Sequence, residues 1–434
     1  MRVYPSTVTP SSPLALLSGA CGTLLALTAS IGCQEYDSSL LRYSDAGVDS
    51  TEASTEAAPD APVPDAGPEA DAPDAPDTPD TPDASNDVLQ DVSSEEAAPS
   101  CGTTQVDCDG NEGNGCETDL TSDATSCGAC GQSCLGGDCS DGKCLPFVLT
   151  SGQLTPSNVF LDDTHLYWTN QVLGGSVMRI PVLGGVAQVV AQSATIPGGI
   201  ATDATSVYWS EFSSGGSVWR LDRTDVGDAS KAIELISGQG TSLTVVVDGT
   251  RVYWTTPGTV RTMLKTGGGY IQLATNQDTP GGLQTGLGRV FWTNYTGGTV
   301  VAVDMGNPDA GIQVLASDQG APAGLTADLT NLYWVNQMGT PDGGTPSVVR
   351  IARTGSMNPE VLADEQSGPI GIAQRGTYVY WTNNVGGTVM RVLKTGGTPE
   401  QLASEQQAPS GIAVDAAAVY WTNRDDGTVM ALAL

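Results

Sequence analysis

The chain has 434 residues, of which 39% are hydrophobic, and a formal net charge of −32 at pH 7. This length allows two or three domains. So acidic a chain repels nucleic acid and anionic lipid, and neither is expected as a partner. The negative charge is distributed unevenly: residues 1–100 contribute −16, residues 101–144 contribute −7 and the remainder contributes −9.

Residues 1–32 are predicted to be a signal peptide. Arg2 precedes an apolar stretch, 14–32, that holds too many small and hydroxyl side chains for a membrane span. Its end, Ala-Ser-Ile-Gly-Cys at 29–33, resembles a bacterial lipobox, and this resemblance implies that Cys33 carries a lipid anchor. Ser30 stands where a lipobox prefers leucine, so ordinary signal-peptidase cleavage is the alternative. We therefore expect an exported bacterial protein, anchored at the outer-membrane surface by lipid alone, or secreted.

Residues 33–100 are predicted to be a disordered acidic tether. They repeat Asp-Ala-Pro and Asp-Thr-Pro, and residues 45–99 contain neither lysine nor arginine. Such a segment buries too little apolar surface to offset the entropy of ordering, and its like charges extend it. We expect it to hold the following domains away from their anchor.

Residues 101–145 form a cysteine-rich segment. An even number of cysteines in a short stretch of an exported chain predicts a disulfide framework, whose pairing the sequence does not choose. The Cys-x-x-C pattern at 127–130 lacks a surrounding βαβ unit, and no histidine lies nearby, so neither a redox site nor zinc is expected. The eight cysteines are Cys101, Cys108, Cys116, Cys127, Cys130, Cys134, Cys139 and Cys144.

The same segment carries a run of oxygen-bearing side chains, which suggests calcium as a cofactor. The run departs from the EF-hand order, because Glu112 stands where glycine is needed and Thr118 where a bidentate glutamate is needed. Asx and glycine residues also build tight turns, which is the interpretation we favour, with calcium as the alternative. The side chains concerned are Asp107, Asp109, Asn111, Asn114, Glu117 and Asp119.

From residue 146 to residue 434 one motif recurs, with tyrosine and tryptophan followed by threonine, asparagine and a Gly-Gly or Asp-Gly pair. Its tryptophans are 38 to 47 residues apart, a period typical of propellers and solenoids. Each repeat is predicted to have four short strands, A to D, with a hairpin between B and C. The tryptophans are Trp168, Trp209, Trp254, Trp292, Trp334, Trp381 and Trp421.

Adjacent tyrosine and tryptophan in strand B point to opposite faces of a sheet, so each sheet presents an aromatic ring to both neighbours. This pattern predicts an all-β, seven-bladed β-propeller over residues 146–434. The seventh repeat ends after strand C, whereas residues 147–151 match the strand D pattern and precede the first strand A. The N-terminal strand is therefore expected to close the last blade.

These repeats resemble the Tyr-Trp-Thr-Asp propeller repeats of LDL-receptor class B type, and more closely the Tyr-Trp-Thr-Asn repeats of bacterial surface lipoproteins. The resemblance covers residues 147–434 and includes the Pro-x-Gly-Ile-Ala opening at 369–373. The chain departs from the receptor pattern in having mostly asparagine at the fourth position and seven repeats instead of six. WD40 propellers need a Gly-His signature that is absent, because His165 is the only histidine.

Catalytic chemistry has little support in the sequence. His165 is expected to lie in an exposed turn, and no Ser-His-Asp arrangement is found. Acidic residues that recur at the end of strand A are interpreted as shaping the A–B turn. An alternative is that they form a lactonase-like or lyase-like site with a divalent metal. They are Asp203, Asp248, Asp328 and Asp415.

Two polar series fall in the connections B–C and D–A, which emerge on the same rim. We interpret them as hydrogen-bonded bridges between blades, with a sugar- or peptide-binding surface as the alternative. The first series is Asn170, Asn294, Asn336, Asn383 and Asn423, with Glu211 and Thr256 in equivalent places. The second series is Gln153, Gln239, Gln277, Gln319, Gln366 and Gln406, each just ahead of strand A.

The predicted function is a non-enzymatic surface binding or scaffold protein whose ligand is an unknown protein or glycan. The ligand site is expected on the B–C and D–A rim, where loop lengths vary. The fifth repeat has a long B–C connection that begins at Asn336 and contains Asp342, and Glu211 adds asymmetry. The candidate binding residues are Glu211, Asn336 and Asp342, with Asn170, Asn294, Asn383 and Asn423.

Overall fold

The structure is a computed structural model, and it describes residues 33–35, 101–111, 113–193, 195–242, 244–355 and 358–434. Seven sheets of four antiparallel strands follow one another, and the short strand Cys33–Glu35 is added in parallel to the first of them. The first strands of neighbouring blades contact each other in a closed ring. The predicted seven-bladed β-propeller is confirmed. Strand A of every blade is innermost and strand D outermost.

The blades contain the following strands, in the order A to D. Blade 1 has Pro156–Leu161, His165–Asn170, Ser176–Pro181 and Gln188–Gln192; blade 2 has Pro197–Thr202, Ser206–Glu211, Val218–Asp222 and Ile233–Ile236. Blade 3 has Val245–Val247, Arg251–Thr256, Thr259–Leu264 and Ile271–Ala274; blade 4 has Pro280–Gly286, Arg289–Asn294, Thr299–Asp304 and Gln313–Ala316. Blade 5 has Pro322–Ala327, Asn331–Asn336, Ser347–Ala352 and Glu360–Ala363; blade 6 has Pro369–Arg375, Tyr378–Asn383, Thr388–Leu393 and Glu400–Ala403. Blade 7 has Pro409–Val414, Ala418–Asn423, Thr428–Ala433 and Phe147–Thr150.

Helical structure among the described residues is confined to three single turns of 3-10 helix. Two of them, Arg223–Asp225 and Ala229–Lys231, lie in the C–D connection of blade 2. The third, Pro308–Ala310, lies in the C–D connection of blade 4. None of the described helices has the length and apolar character that a membrane crossing requires.

The seventh blade is closed by the N-terminal strand, as the sequence predicted. Phe147–Thr150 pairs antiparallel with Thr428–Ala433. The contact between blades 7 and 1 is reinforced where the Thr422 hydroxyl donates to the Ser157 carbonyl oxygen at 2.7 Å. Gly411 lies so close to that carbonyl that a Cβ atom would overlap it. The two ends of the ring are thus joined by sheet pairing, by a buried hydrogen bond and by close backbone contact.

Strand B supplies the packing between blades. Six of the seven motif tryptophans are fully buried, and Trp209 is nearly so. Burying one such side chain removes about 200 Å² from water, which stabilises the fold by about 5 kcal/mol. In blades 1, 4, 6 and 7 the next residue along the strand adds a hydrogen bond to strand A of the following blade. For example, Thr293 donates to the Ala323 carbonyl oxygen at 2.8 Å and Thr382 donates to that of Ser410 at 2.6 Å. Blade 5 has Val335 in this place, so this bond is missing between blades 5 and 6.

The cysteine-rich segment contains the four disulfides that the sequence predicted. Two short hairpins, Gln105–Val106 with Thr118–Asp119 and Cys139–Ser140 with Lys143–Cys144, are its only regular structure among the described residues. The Gln132 side chain donates to the Leu434 carbonyl oxygen at 2.9 Å, and Cys144 packs against the blade 7 cluster. The pairs are Cys101–Cys116, Cys108–Cys130, Cys127–Cys139 and Cys134–Cys144.

That contact fixes which end of the propeller carries the cysteine-rich segment. Leu434 follows strand C of blade 7, and its backbone N–H donates to Ala417 in the A–B turn. The segment therefore lies at the rim formed by the A–B and C–D connections, opposite the B–C and D–A connections. Before this segment, only Cys33–Glu35 is described, paired in parallel with Pro156–Leu161. The predicted signal peptide, the rest of the tether and the lipidation of Cys33 lie outside what the structure describes.

Candidate functional site

The propeller has two rims, which we call the B–C/D–A rim and the A–B/C–D rim after the connections that form them. On the B–C/D–A rim, five glutamines join consecutive blades. The Gln366 Oε1 atom accepts from the Trp381 indole N–H at 2.8 Å and from the Asn383 amide at 3.0 Å. Its Nε2 atom donates at 2.7 Å to the carbonyl oxygen of Asp364, which follows strand D of the preceding blade. Gln153, Gln277, Gln319 and Gln406 make the same three bonds.

These bonds agree with the structural interpretation of both amide series. Each glutamine satisfies two buried donors of one blade and one terminal carbonyl of the preceding blade. Gln239 is an exception, because its Oε1 accepts from Arg261 at 2.7 Å. The indole Nε1 of Trp254, in the same blade, is buried and has no protein partner among the described residues. Most of the amides are therefore structural bridges between blades.

Most of the predicted binding residues lie beneath the rim surface. Asn170, Asn294, Asn336, Asn383 and Asn423 are all buried. Glu211 is also buried, and its Oε1 accepts from the Ser193 hydroxyl at 2.8 Å. Asp342 differs, because it is exposed on the long B–C connection of blade 5. The asparagines belong to separate blades around the ring, so they do not form one site.

The recurring aspartates at the end of strand A shape the A–B turns. The Asp203 Oδ1 atom accepts from the backbone N–H groups of Thr205 and Ser206 at 2.8 Å each. Its Oδ2 atom accepts from the Tyr208 hydroxyl at 3.0 Å. Asp248, Asp328 and Asp415 repeat this arrangement with Tyr253, Tyr333 and Tyr420. Blade 4 has neither the aspartate nor the tyrosine, because Gly286 and Phe291 occupy these two positions.

A lysine or arginine directly after strand C connects four blades to the blade before them. Lys265 lies 2.8 Å from Asp203, and Lys394 lies 3.1 Å from Asp328. Partial burial alone would raise the pKa of Asp203, but hydrogen bonds from Lys265 and the Thr205 backbone lower it to about 2. Burial likewise opposes the backbone and Tyr333 hydrogen bonds that lower the pKa of Asp328 to about 2. Arg223 and Arg353 bridge blades in the same way, to Asp162 and to the Gly286 carbonyl.

These lowered pKa values predict loss of stability in acid. A carboxyl whose pKa is lower in the folded than in the unfolded state stabilises the fold above a pH of about 4. That contribution, at most about 2 kcal/mol for each group, is lost as the pH falls toward about 2. The double variant Asp203→Asn/Asp328→Asn should be less stable than the wild type near neutrality. The difference between the two should shrink between about pH 4 and pH 2 in urea unfolding, since protonation removes the same charges. A difference that stays constant over this range would contradict the assignment.

His165, the one histidine, is the first residue of strand B in blade 1, at the A–B/C–D rim. It is half-buried instead of exposed, and its Nδ1 atom lies 2.8 Å from the Thr164 hydroxyl. Burial, followed by the charge of Arg179, lowers the pKa of His165, so the ring is neutral near pH 7. Asp162 lies close to His165 but is paired with Arg223 at 2.5 Å. These contacts are typical of a histidine with a structural role.

The seven strands A line the axis of the propeller and carry no carboxylate, and the short strand Cys33–Glu35 beside them adds one, Glu35. The seven described strands A contain neither aspartate, glutamate nor histidine, and Arg375 at the end of one of them is their only charged residue. Small residues dominate, because neighbouring strands A approach closely. At Gly282, for example, a Cβ atom would overlap the carbonyl oxygen of Ala323 in the next blade. These inner strands therefore offer no carboxylate set for a divalent metal.

A groove of about 720 Å³ lies on the flank of the propeller between the outer strands of blades 4 and 5. One side is formed by strand D of blade 4 and the D–A connection with Gln319. The other is formed by blade 5, with Asn336 and Ser347 in its floor and Thr340 and Asp342 above. Aliphatic side chains, Leu315, Val349 and Val361, line its length, and Asp364 lies at the end of strand D. We call this the blade 4–5 groove.

The groove brings together two of the predicted binding residues, Asn336 and Asp342. Sequence reasoning missed Asp364 and the groove's aliphatic residues. The long B–C connection of blade 5 gave a signal, because the longest tryptophan spacing, 47 residues, separates Trp334 from Trp381. The bridging cations were also missed, although each is followed by threonine in the sequence: Arg223, Lys265, Arg353 and Lys394.

In the cysteine-rich segment, one carboxylate oxygen each of Asp107, Asp109 and Glu117 lie within 4.8 Å of one another. Such oxygens suit calcium. They also accept hydrogen bonds that form the turns: Asp107 from the Gly110 N–H at 2.7 Å, and Glu117 from the Cys108 N–H at 2.9 Å. The backbone N–H of Asn111 and other hydrogen bonds lower the pKa of Asp109. The geometry thus fits turns and leaves a calcium ion as the alternative.

Comparisons with known proteins agree on the fold. No protein-family model matches the chain, and no curated protein matches it by sequence. Among solved structures, virginiamycin B lyase from Staphylococcus aureus has a TM-score of 0.56 at 13% identity, over 67% of this chain and 98% of that one. The WD40 propeller domain of Doa1 has a TM-score of 0.52 at 10% identity, over 65% and 94%. A nidogen/laminin complex chain matches at 20% identity over 58% and 97%, with a TM-score of 0.44. Both an enzyme and a non-enzymatic domain type thus share the architecture.

Proposed function

We propose that this chain is an exported, non-enzymatic binding protein that displays its propeller at the cell surface and binds a ligand in the blade 4–5 groove. The observation that carries the proposal is the groove itself. The one long B–C connection of an otherwise regular rim forms one of its walls. Variable loops on a rigid scaffold are where binding usually resides.

The position of the cysteine-rich segment supports display on a tether. This segment contacts Leu434 at the A–B/C–D rim, so the chain that precedes it starts from that side of the propeller. An acidic tether and a lipid on Cys33 would provide the anchor. Mass spectrometry of the mature N-terminus checks the anchor, since an unmodified start at another residue would give a secreted protein.

The structural roles of the acidic residues and the histidine that the structure describes support binding over catalysis. The described strands A lack acidic residues, and the recurring aspartates are used in turns and ion pairs. One of the similar structures is a catalytically inactive histidine-to-alanine variant of virginiamycin B lyase with quinupristin. In this chain the one histidine, His165, lies half-buried beside Thr164 at the A–B/C–D rim. A lyase-like or lactonase-like enzyme therefore remains the alternative with less support.

The proposal is tested by screening the full exported chain on glycan and peptide arrays and by measuring its metal content. We expect a ligand whose binding is lost when residues 339–345 are replaced by two glycines, with the melting temperature nearly unchanged. The control replaces residues 226–229, in the C–D insertion of blade 2 on the other rim, and should bind normally. A bound metal in the axial region, or binding that depends on the blade 2 insertion instead, would contradict the proposal. Calcium found on the cysteine-rich segment, and lost with Asp107→Asn, would favour the cofactor alternative there.

A further inference from the structure

The acidic residues of the propeller are distributed unequally between its two rims. On the A–B/C–D rim, three aspartates that directly follow a strand A are neutralised by cations. They are Asp162, Asp203 and Asp328. On the B–C/D–A rim, eight acidic residues lie in the connections, all exposed, and none takes part in an ion pair among the described residues. They are Asp278, Asp318, Asp342, Asp364, Glu365, Glu405, Asp425 and Asp426.

Positive charge is nearly missing from the same connections. Arg424 is the one lysine or arginine in them, and it lies on blade 7, away from the blade 4–5 groove. All eight acidic residues belong to connections between strand D of blade 3 and strand C of blade 7, which places the groove within the acidic part of the rim. Surface charge of one sign steers partners of the opposite sign and raises their rate of encounter.

The groove itself has a matching arrangement. Asp342 on the B–C wall and Asp364 at the end of strand D are two exposed carboxylates among its lining residues. The Thr340 hydroxyl donates to Asp342 and lowers its pKa, so this carboxylate is ionised at neutral pH. Between the walls, Val361 is an exposed aliphatic side chain, whereas Leu315 and Val349 are mostly buried in the lining. An elongated ligand with apolar and cationic side chains would match both features.

Two other grooves on the propeller lack this combination. The groove between blades 1 and 2, about 520 Å³, is lined by Arg179 and by Gln188 and Gln192, with no acidic residue. The groove of about 510 Å³ at the A–B/C–D rim contains Asp328, but Lys394 neutralises it. Unpaired carboxylates beside an exposed aliphatic side chain, that of Val361, are therefore particular to the blade 4–5 groove among these three.

We propose that the blade 4–5 groove binds an extended, lysine- or arginine-bearing peptide segment of a partner protein, with its cations at Asp342 and Asp364. This inference rests on the proposed function and names its ligand class. The chain's own acidic N-terminal segment is excluded as the occupant, because residues 45–99 contain no lysine or arginine. The aliphatic residues contact the apolar side chains of the segment, and the acidic rim attracts it from a distance.

The test uses the full chain and a short peptide that alternates lysine with valine, with a glutamate–valine peptide as the reference of opposite charge. The variant Asp342→Asn/Asp364→Asn should weaken binding of the lysine peptide at least about tenfold, which corresponds to about 1.4 kcal/mol. The matched control, Asp278→Asn/Glu405→Gln, removes the same charge from the same rim but outside the groove. It should change the affinity by less than about twofold, since exposed charges at this distance are screened by salt.

Three results would overturn the inference. Equal losses in the two double variants would mean that the rim attracts cations without a groove site. No loss in either would mean that the carboxylates make no contact. Binding of a neutral glycan that depends on residues 339–345 but not on Asp342 and Asp364 would refute the cationic ligand and leave the binding function intact. If no array ligand depends on residues 339–345, the proposed function itself fails.

Discussion

Replacing residues 147–151 with a glycine–serine stretch of equal length should destabilise the whole propeller by about 3–5 kcal/mol. The change removes several strand hydrogen bonds, at about 1 kcal/mol each, and the partial burial of two apolar side chains. Among the described residues, Phe147–Thr150 is the partner of the outer edge of Thr428–Ala433. Phe147 and Leu149 also pack against the cluster that joins blades 7 and 1. Without them, strand C of the last blade becomes an unpaired edge.

The replacement keeps the connection to the cysteine-rich segment at its natural length, so only the strand is lost. The matched control places the same glycine–serine stretch at residues 87–91, within the segment predicted to be a tether, and should leave stability unchanged. Thermal unfolding followed by circular dichroism measures both variants. A melting temperature equal to that of the wild type would show that the ring does not depend on its shared blade.

The architecture could be predicted because it rests on repeated local features. The tyrosine–tryptophan pair of strand B, the Gly-Gly or Asp-Gly turn and the missing last strand D each have a direct physical meaning. Phe147–Thr150 illustrates this, since a strand D pattern at the start of the repeats and a missing one at their end have one simple solution. The number of disulfides followed in the same way from eight clustered cysteines and the predicted export of the chain.

Contacts between repeats could be predicted only in part. The pairing of the cysteines depends on the path of a segment with almost no regular structure, so Cys127 was as free to pair with Cys130 as with Cys139. The role of the glutamines as bridges was preferred because buried amides need hydrogen-bond partners. That Gln239 pairs with Arg261 could not be foreseen, because it depends on how strand C approaches a longer D–A connection. Glu211 was predicted to lie on the rim from its position at the end of strand B. Its burial and its hydrogen bond from Ser193 depend on packing, which the sequence does not show.

The candidate site, too, could be predicted only in part. Asp342 was found because loop length is visible in a sequence, and a loop longer than its equivalents draws attention. Asp364 was missed because the D–A connection that contains it, Asp-Glu-Gln, resembles the Ser-Glu-Gln connection of the next repeat. Nothing in the sequence marks Asp364 as facing a groove. The regular polar residues turned out to hold blades together, whereas the irregular loop lines a groove. In a repeat protein, departures from the repeat are thus better guides to a binding site than the repeated residues.

The strand B tryptophans allow the contribution of the glutamine bridge to be separated from that of burial. Trp381 and Trp254 are both fully buried in equivalent places. The Trp381 indole N–H donates to Gln366 at 2.8 Å, whereas that of Trp254 has no protein partner among the described residues. Trp381→Ala should cost about 3–5 kcal/mol, since it leaves a large cavity between two blades.

The comparison of Trp381→Phe with Trp254→Phe is more specific. Both changes remove a similar volume, so the cavity contributions nearly cancel in their difference. At Trp381 the change also removes a hydrogen bond, although Gln366 keeps its bond from Asn383, which limits the loss to about 1 kcal/mol. At Trp254 it removes a buried donor without a protein partner, which offsets part of the cavity cost. Urea unfolding should therefore show Trp381→Phe to be more destabilising by at least about 1 kcal/mol. Equal costs at the two positions would mean that the glutamine bridges add no net stability, and the joining of blades would then rest on aromatic burial and the threonine bonds.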